Sequence, residues 1–262
     1  VSDSSQLDPP SASPESAPPE PASVAVTLQQ VLDTLRLGEI RLVGRLPYGS
    51  NDTFLATVHH QHLALPAVYK PTQGEQPLWD FSAGTLAGRE VAAFLLSEAL
   101  GWGLVPPTAL REGEFGVGSL QFFIECDPER HYFNFTDSER QQLPWAAVFD
   151  VLANNADRKG GHLLLDGQGQ MWLIDHGLCF HELPKLRTVI WDFAGQTLPA
   201  PFLQDIRRVA ETFAQTGGLA EQLAGYLSES ECAALLARLQ NLLAVPQLPF
   251  PKGNRSYPWP PV

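Results

Sequence analysis

Four ionisable side chains, Asp157, Arg158, Lys159 and His162, fall in the loop NNADRKGGH (154–162), and Asp175 follows in IDHG (174–177). One carboxylate can orient or deprotonate a hydroxyl, a second can hold a divalent cation, and basic groups can neutralise phosphate. That set suits a phosphate-handling site, although a solvated turn of polar residues would have the same composition. Whether these residues meet depends on the segment between them. HLLL (162–165), DGQG (166–169) and MWLID (171–175) read as strand, turn and strand, because Asp and Gly between two apolar runs signal a hairpin. A turn centred near 167–168 places His162 opposite Leu173. Asp175 then lies beside Gly160 and Gly161 at the same open end, which Asp157 enters from the preceding loop.

A second pair strengthens the phosphate reading. Lys70 ends the apolar strand PAVYK, where a lysine is costly unless it is paired. Glu90, on a helix beginning near Thr85, borders that helix's apolar face and is the natural partner. Upstream, LPYGSNDTFLATV (46–58) reads as strand, turn and strand, with Gly49, Ser50 and Asn51 at the tip offering backbone N–H groups to phosphates.

These residues need a scaffold, and the pattern changes once along the chain. IRLVGRL, TFLATV, PAVYK and LQFFIE are short β-like runs between 40 and 125, interrupted by a helix in TLAGREVAAFLLSEALGWG (85–103) with Thr85 as N-cap and Gly101 as stop. Helices dominate from 140 onward. Trp145, Val148, Phe149 and Leu152 mark one, Phe202, Ile206, Val209 and Phe213 a second. Ser228 and Glu231 form a capping box for a last helix rich in leucine. The expected organisation is a disordered Pro/Ser/Ala-rich tail over 1–24, a sheet-rich lobe over 25–126, a helical lobe over 127–248 and a Pro-rich tail over 249–262. Tyr257 and Trp259 are placed to pin that second tail to a surface.

Composition narrows the function. The 262 residues carry a net charge of −12, against a general nucleic-acid binder. The three scattered cysteines fit neither a disulfide framework nor a zinc knuckle and suit a reducing cytosol. No run approaches the ~20 apolar residues of a membrane span. HHQH (59–62) lies between two expected strands without a third metal ligand and reads as an exposed turn. Neither a G-x-S-x-G elbow nor a Walker-A sequence occurs.

The ordered pieces are a strand–turn–strand, a strand lysine, a helix glutamate, a D-x4-H loop and ID-x-G. Together they resemble the protein-kinase-like superfamily, and more closely its phosphatidylinositol 3-/4-kinase branch with small bacterial relatives. The likeness covers roughly residues 40–200 and is most specific at 157–162 and 174–177. It implies an α+β, two-lobed protein-kinase-like fold, with an antiparallel-sheet N-lobe holding one main helix and a mainly helical C-lobe. It implies ATP with Mg²⁺ or Mn²⁺, and a hydroxyl acceptor that is a lipid head group, a protein or a small metabolite. Lys70 would hold the α/β-phosphates and Glu90 would hold Lys70. Asp157 would orient the acceptor, Arg158 would neutralise the transferring phosphate, and Asp175 would bind metal. The linker after the fourth expected strand, with Phe123 and Glu125, would meet adenine through backbone groups. His162 stands where phosphoinositide kinases carry an asparagine. Either it favours a softer ion such as Mn²⁺ over Mg²⁺, or it binds phosphate as a cation, or the second metal site is lost and the chain would be a nucleotide-binding pseudokinase. A kinase-like fold that binds ATP reversed would transfer AMP instead. Lys185 and Arg187 occupy the acceptor-recognition segment and would face an acidic acceptor, but two basic residues are a weak sign of a membrane surface.

Overall fold

In the computed structural model, the described residues are 26–47 and 51–262, so the tail expected over 1–24 lies outside them. Five strands form one antiparallel sheet of order β1-β2-β3-β5-β4: Glu39–Arg45, Phe54–His60, Leu63–Pro71, Thr108–Gly113 and Gly116–Phe122, numbered along the chain. Helix α1 (Leu28–Leu37) covers one face. Its Leu35 is fully buried with Val58, Ala67, Tyr69, Ala109 and Leu120. Because side chains alternate along a strand, Lys70 projects from β3 to the opposite face from Tyr69. β3 lies close to β5 at this point. Gly118, paired with Pro71, has no room for a Cβ, which would stand 2.4 Å from the Lys70 carbonyl oxygen.

Helix α2 (Leu86–Leu100) starts and stops where expected, and Gly101 takes the left-handed conformation that ends it. Its N-terminus is capped differently from the expectation. The Thr85 hydroxyl donates to the Ser82 carbonyl, and the Glu75 carboxylate accepts instead from the N–H groups of Gly84 (2.9 Å) and Ala87 (3.3 Å). The sheet and α2 are followed by α3 (Asp137–Arg140), α4 (Leu143–Ala153), the hairpin β6 (Leu163–Leu165) and β7 (Met171–Leu173), α5 (Ala200–Thr212), α6 (Leu219–Leu223) and α7 (Glu229–Ala244). The Ser228–Glu231 capping box at α7 is formed. Leu96 and Leu100 of α2 share one core with Phe149, Leu152, Leu173, Ile206 and Leu239. The expected boundary at Asp127–Pro128 falls between β5 and α3, but the largest core runs across it through α2.

The hairpin register is one residue off the expectation. Leu163, not His162, pairs with Leu173, and His162 ends a short 3₁₀ turn, Gly160–His162. Asp166 causes the shift. Its N–H bonds to the Gln170 carbonyl, and its Oδ1 accepts from Gln168 and Gln170, which closes the loop about residue 168. The C-terminal segment is held by backbone more than by rings. The Ser256 carbonyl accepts from the Thr188 N–H (3.1 Å) and the Trp191 indole (3.2 Å), and the Pro261 carbonyl accepts from the Gly160 N–H (2.7 Å). Tyr257 meets Trp191 edge-on, while the Trp259 ring is 88% exposed. Of HHQH, His59 and His60 end strand β2 half-buried, and only Gln61, at positive φ, and His62 form the exposed β2–β3 turn. No helix among the described residues is long and apolar enough to cross a membrane.

Candidate active site

Lys70 is the centre of a cluster drawn from three elements. Its Nζ lies 2.5 Å from Glu90 Oε1 on α2 and 3.0 Å from Asp175 Oδ1 just after β7. Glu90 is 3% exposed, so in that setting the ammonium supplies the charge its carboxylate needs. Glu90 Oε2 also accepts from the His176 N–H at 2.9 Å, which ties α2 to the IDHG turn. Asp175 itself sits at φ 62°, a left-handed conformation costly for a residue with a side chain. The contacts to Lys70 and His162 hold it there.

Burial opposes the charge on Lys70, but Asp175 and Glu90 outweigh it and hold the ammonium above its usual range. Lys70, working against burial and helped by His162, holds the Asp175 carboxyl well below the usual carboxylate range. His162 Nε2 lies 3.2 Å from Asp175 Oδ2, and its Nδ1 accepts from the Lys159 N–H at 3.4 Å. Burial pushes the His162 pKa down to about 4 despite the pull of Asp175. The neutral ring therefore carries its proton on Nε2 and donates it to Asp175.

Asp157 stands beside this cluster, with its backbone N–H held by the Asn155 side chain at 2.9 Å. Its carboxylate is 29% exposed and 3.4 Å from Lys159 Nζ. Burial raises its pKa, Lys159 and Arg187 pull it back, and Asp175 adds to the rise. A base that keeps some affinity for a proton suits hydroxyl activation better than an ordinary carboxylate.

Arg158 departs from its expected role. It is fully buried, with Nε 3.0 Å from Asp150 Oδ1, Nη1 2.8 Å from the Ile174 carbonyl and Nη2 2.7 Å from His176 Nε2. Its donors are engaged inside the C-terminal part, and no transferring phosphate can reach them. It braces the loop instead. Asp150 also accepts from Asn155 and Thr188, so one buried carboxylate on α4 fixes both the Asp157 loop and the segment after IDHG. Asp150 and Asn155 were not singled out by sequence, and only their position beside DRKGGH hinted at the role. Arg89 is a further residue that the sequence does not single out. It is buried on α2, bonded to the Cys179 carbonyl (2.6 Å) and paired with Glu231.

The remaining expected contacts divide. Gly49 and Ser50 lie outside the described residues. Asn51 directs its Oδ1 to the Gln76 N–H at 2.8 Å, tying the hairpin tip to the segment after β3. The Phe123 N–H is bonded to the Pro66 carbonyl at 3.0 Å, and Glu125 is exposed. Lys185 pairs with Asp80 at 2.7 Å and lies over the Trp79 ring. Among the described residues, no group of three or more His, Cys, Asp or Glu side chains is arranged to hold an ion alone.

Residues 85–242 match the family model for phosphatidylinositol 3- and 4-kinase, a span that contains Glu90, Asp157, His162 and Asp175. The chain belongs to that family. Protein Rv2133c of Mycobacterium tuberculosis is 40% identical over 258 residues, covering 85% of this chain and 92% of that protein. Phosphatidylinositol 4-kinase gamma 4 of Oryza sativa subsp. japonica is 32% identical over 139 residues, but these are 46% of this chain and only 25% of the plant enzyme. Among solved structures, hydra Fam20 with sugar superposes with a TM-score of 0.50 at 14% identity, over 83% of this chain and 88% of that one. That level of identity bears on the fold alone. The Helicobacter pylori proinflammatory kinase CtkA gives 0.46 at 13% identity, over 82% and 94%. The fold is thus the α+β kinase-like one, with an antiparallel sheet and its helix followed by a mainly helical part. Family membership supports a phosphotransferase of the kinase-like superfamily.

Proposed function

We propose that this chain is an ATP-dependent phosphotransferase acting on an alcohol acceptor. The observation that carries the reading is the junction at Lys70, which joins Glu90 on α2 to Asp175, the latter 105 residues beyond the lysine. A lysine bridging a buried glutamate and a half-exposed aspartate is an arrangement for positioning the phosphates of a nucleotide. In this reading Lys70 neutralises the α/β-phosphates, and Glu90 fixes the lysine. Asp157 accepts the proton of the acceptor hydroxyl as its oxygen bonds to the γ-phosphorus. The bond from that phosphorus to the β–γ bridging oxygen breaks, and ADP leaves with the electron pair. Asp175 would hold a divalent ion, Mg²⁺ or Mn²⁺, which would supply charge neutralisation at the transferring group.

His162 fits that ion poorly, because its Nε2–H is directed at Asp175. We assign it to holding the Asp175 carboxylate in place, with Nδ1 anchored to the loop. The same pairing supports the second reading, a nucleotide-binding pseudokinase that lacks a second ion. Thermal unfolding with ATP and Mg²⁺ or Mn²⁺ tests the nucleotide site, and ADP formation separates the readings. Nucleotide should stabilise the native protein and leave Asp175→Asn unmoved, since a ligand stabilises only the state that binds it. Equal response of both proteins to ATP would count against the site. Stabilisation without ADP or AMP release under either ion would favour the pseudokinase, and AMP found on an acceptor would favour adenylyl transfer.

A further inference from the structure

Among the described residues, three buried polar side-chain atoms have no hydrogen-bond partner: Ser119 Oγ, His176 Nδ1 and Arg238 Nη2. Folded proteins leave few such atoms, so each calls for a physical reason. Two of the three adjoin the Lys70–Glu90 pair. Ser119 is the register partner of Lys70 on β5, and His176 follows Asp175 directly. The histidine is the more informative, because its neighbours fix which nitrogen carries the proton. The ring is fully buried, and its Nε2 lies 2.7 Å from Arg158 Nη2. A guanidinium can only donate, so Nε2 accepts. Burial first, and then the charge of Arg158, hold the ring's pKa well below its usual range. The ring is therefore neutral, and its one N–H is on Nδ1.

That N–H stands 3.9 Å from Glu90 Oε2, about 1 Å beyond an ordinary N–H···O hydrogen bond. The same oxygen accepts from the His176 backbone N–H, while Oε1 faces Lys70. The ring is held on its other sides. Phe149 meets it edge-on with centroids 5.6 Å apart, and Arg158 is fixed by Asp150. Closing the gap is thus a movement of Glu90 toward the ring. Lys70 now divides its ammonium between Glu90 and Asp175. Phosphate oxygens at this lysine make a third demand on it and loosen its hold on Glu90. A buried carboxylate that loses part of its cation needs another donor, because an uncompensated buried charge is costly. The His176 Nδ1–H is that donor, already in place.

We propose that His176 is a positioning residue: when nucleotide phosphates draw on Lys70, Glu90 moves onto the His176 Nδ1–H, which holds that carboxylate in place behind the lysine. The inference rests on the phosphotransferase reading of the Lys70 site. It also joins two charge systems through one ring, since Arg158 on the Nε2 side belongs to the Asp150 brace of the Asp157 loop.

Two measurements test this. An asparagine amide comes near the position of Nδ1, whereas a glutamine amide reaches that of Nε2, so the two substitutions separate the donor to Glu90 from the acceptor of Arg158. Binding of the non-hydrolysable ATP analogue AMP-PNP with Mg²⁺ is measured by calorimetry for the native protein, His176→Asn, His176→Gln and His176→Phe. The expected result is binding within about threefold of native for His176→Asn and about tenfold or more weaker for His176→Gln and His176→Phe, as loss of a hydrogen bond to a charged group implies. A ring that only braces Arg158 gives the opposite order, because glutamine keeps that contact and asparagine does not. The second measurement needs no variant. In native protein labelled with ¹⁵N-histidine, the His176 Nδ1 proton is identified by its proximity to the Phe149 ring. It should move downfield when the analogue is added, as its bond to Glu90 forms. An unmoved signal on binding, native affinity in His176→Gln or His176→Phe, or a loss in His176→Asn as large as in His176→Gln would each overturn the inference. Failure of the native protein to bind the analogue would instead sink the phosphotransferase reading itself.

Discussion

At the scale of single residues, the decisive difference is between charges that gather at Lys70 and charges that face inward. Lys70 and Glu90 could be read from sequence, because a lysine in an apolar strand and a glutamate beside an apolar helix face each need a partner. Arg158 could not. Its direction is decided by Asp150 eight residues earlier and by His176 beyond the hairpin, and nothing in DRKGGH encodes either. Two outcomes follow. Lys70→Ala should weaken nucleotide binding about tenfold or more, since it removes a charge-assisted contact to phosphate, and titration with a fluorescent nucleotide checks this. Asp157 has a raised pKa, so activity as a base should rise with pH through a limb above the ordinary carboxylate value of about 4. Lys159 pulls that pKa down, so Lys159→Ala should move the limb of the kcat/KM profile to higher pH. A limb that stays put would detach Lys159 from Asp157, and one that survives Asp157→Asn would detach the limb from Asp157.

At the scale of elements, most helices were legible and some connections were not. The leucine pattern and Ser228–Glu231 box announced α7, and Gly101 announced the end of α2. Helix α1 lies outside the elements expected above, although Thr27 and Gln30 form a capping box and Leu28, Val31, Leu32 and Leu35 follow the helical spacing. Strand β4 went unread because TALREG shows little alternation. Its Arg111 reaches across to the carbonyls of Leu35 and Gly38 at the end of α1 (3.2 and 2.7 Å), a role that only the tertiary fold creates. The Asp157 loop hangs from α4 through the buried Asp150–Arg158 pair. Arg158→Met should cost about 3–5 kcal/mol, because Asp150 is left buried without its cation. Chemical denaturation measures this, and replacing Asp150 with leucine in the same chain should recover much of the loss. A marginal cost for the single variant would mean that the pair does not brace the loop.

For the whole molecule, the division into a sheet-rich and a helical half was visible as a change of period near residue 127. The shared core was not, because it depends on α2 burying nearly every face, with Leu96 and Leu100 turned toward the helices. Arg89 adds an ion pair from α2 to Glu231 on α7. The two halves should therefore unfold together, with tryptophan fluorescence and far-UV circular dichroism giving coincident denaturation curves. Separate midpoints would show that α2 does not couple them. The same coupling brings both Glu90 and Asp175 to Lys70, so the proposed catalysis requires the assembled molecule. The most direct test of that claim is ADP production from ATP and Mg²⁺ or Mn²⁺, with a panel of alcohols as acceptors, by the native protein and by Asp157→Asn and Asp175→Asn. The account predicts acceptor-dependent ADP from the native protein and at least a ~100-fold loss in each variant, as for removal of a general base or a metal-binding carboxylate. Undiminished turnover in either variant would contradict it.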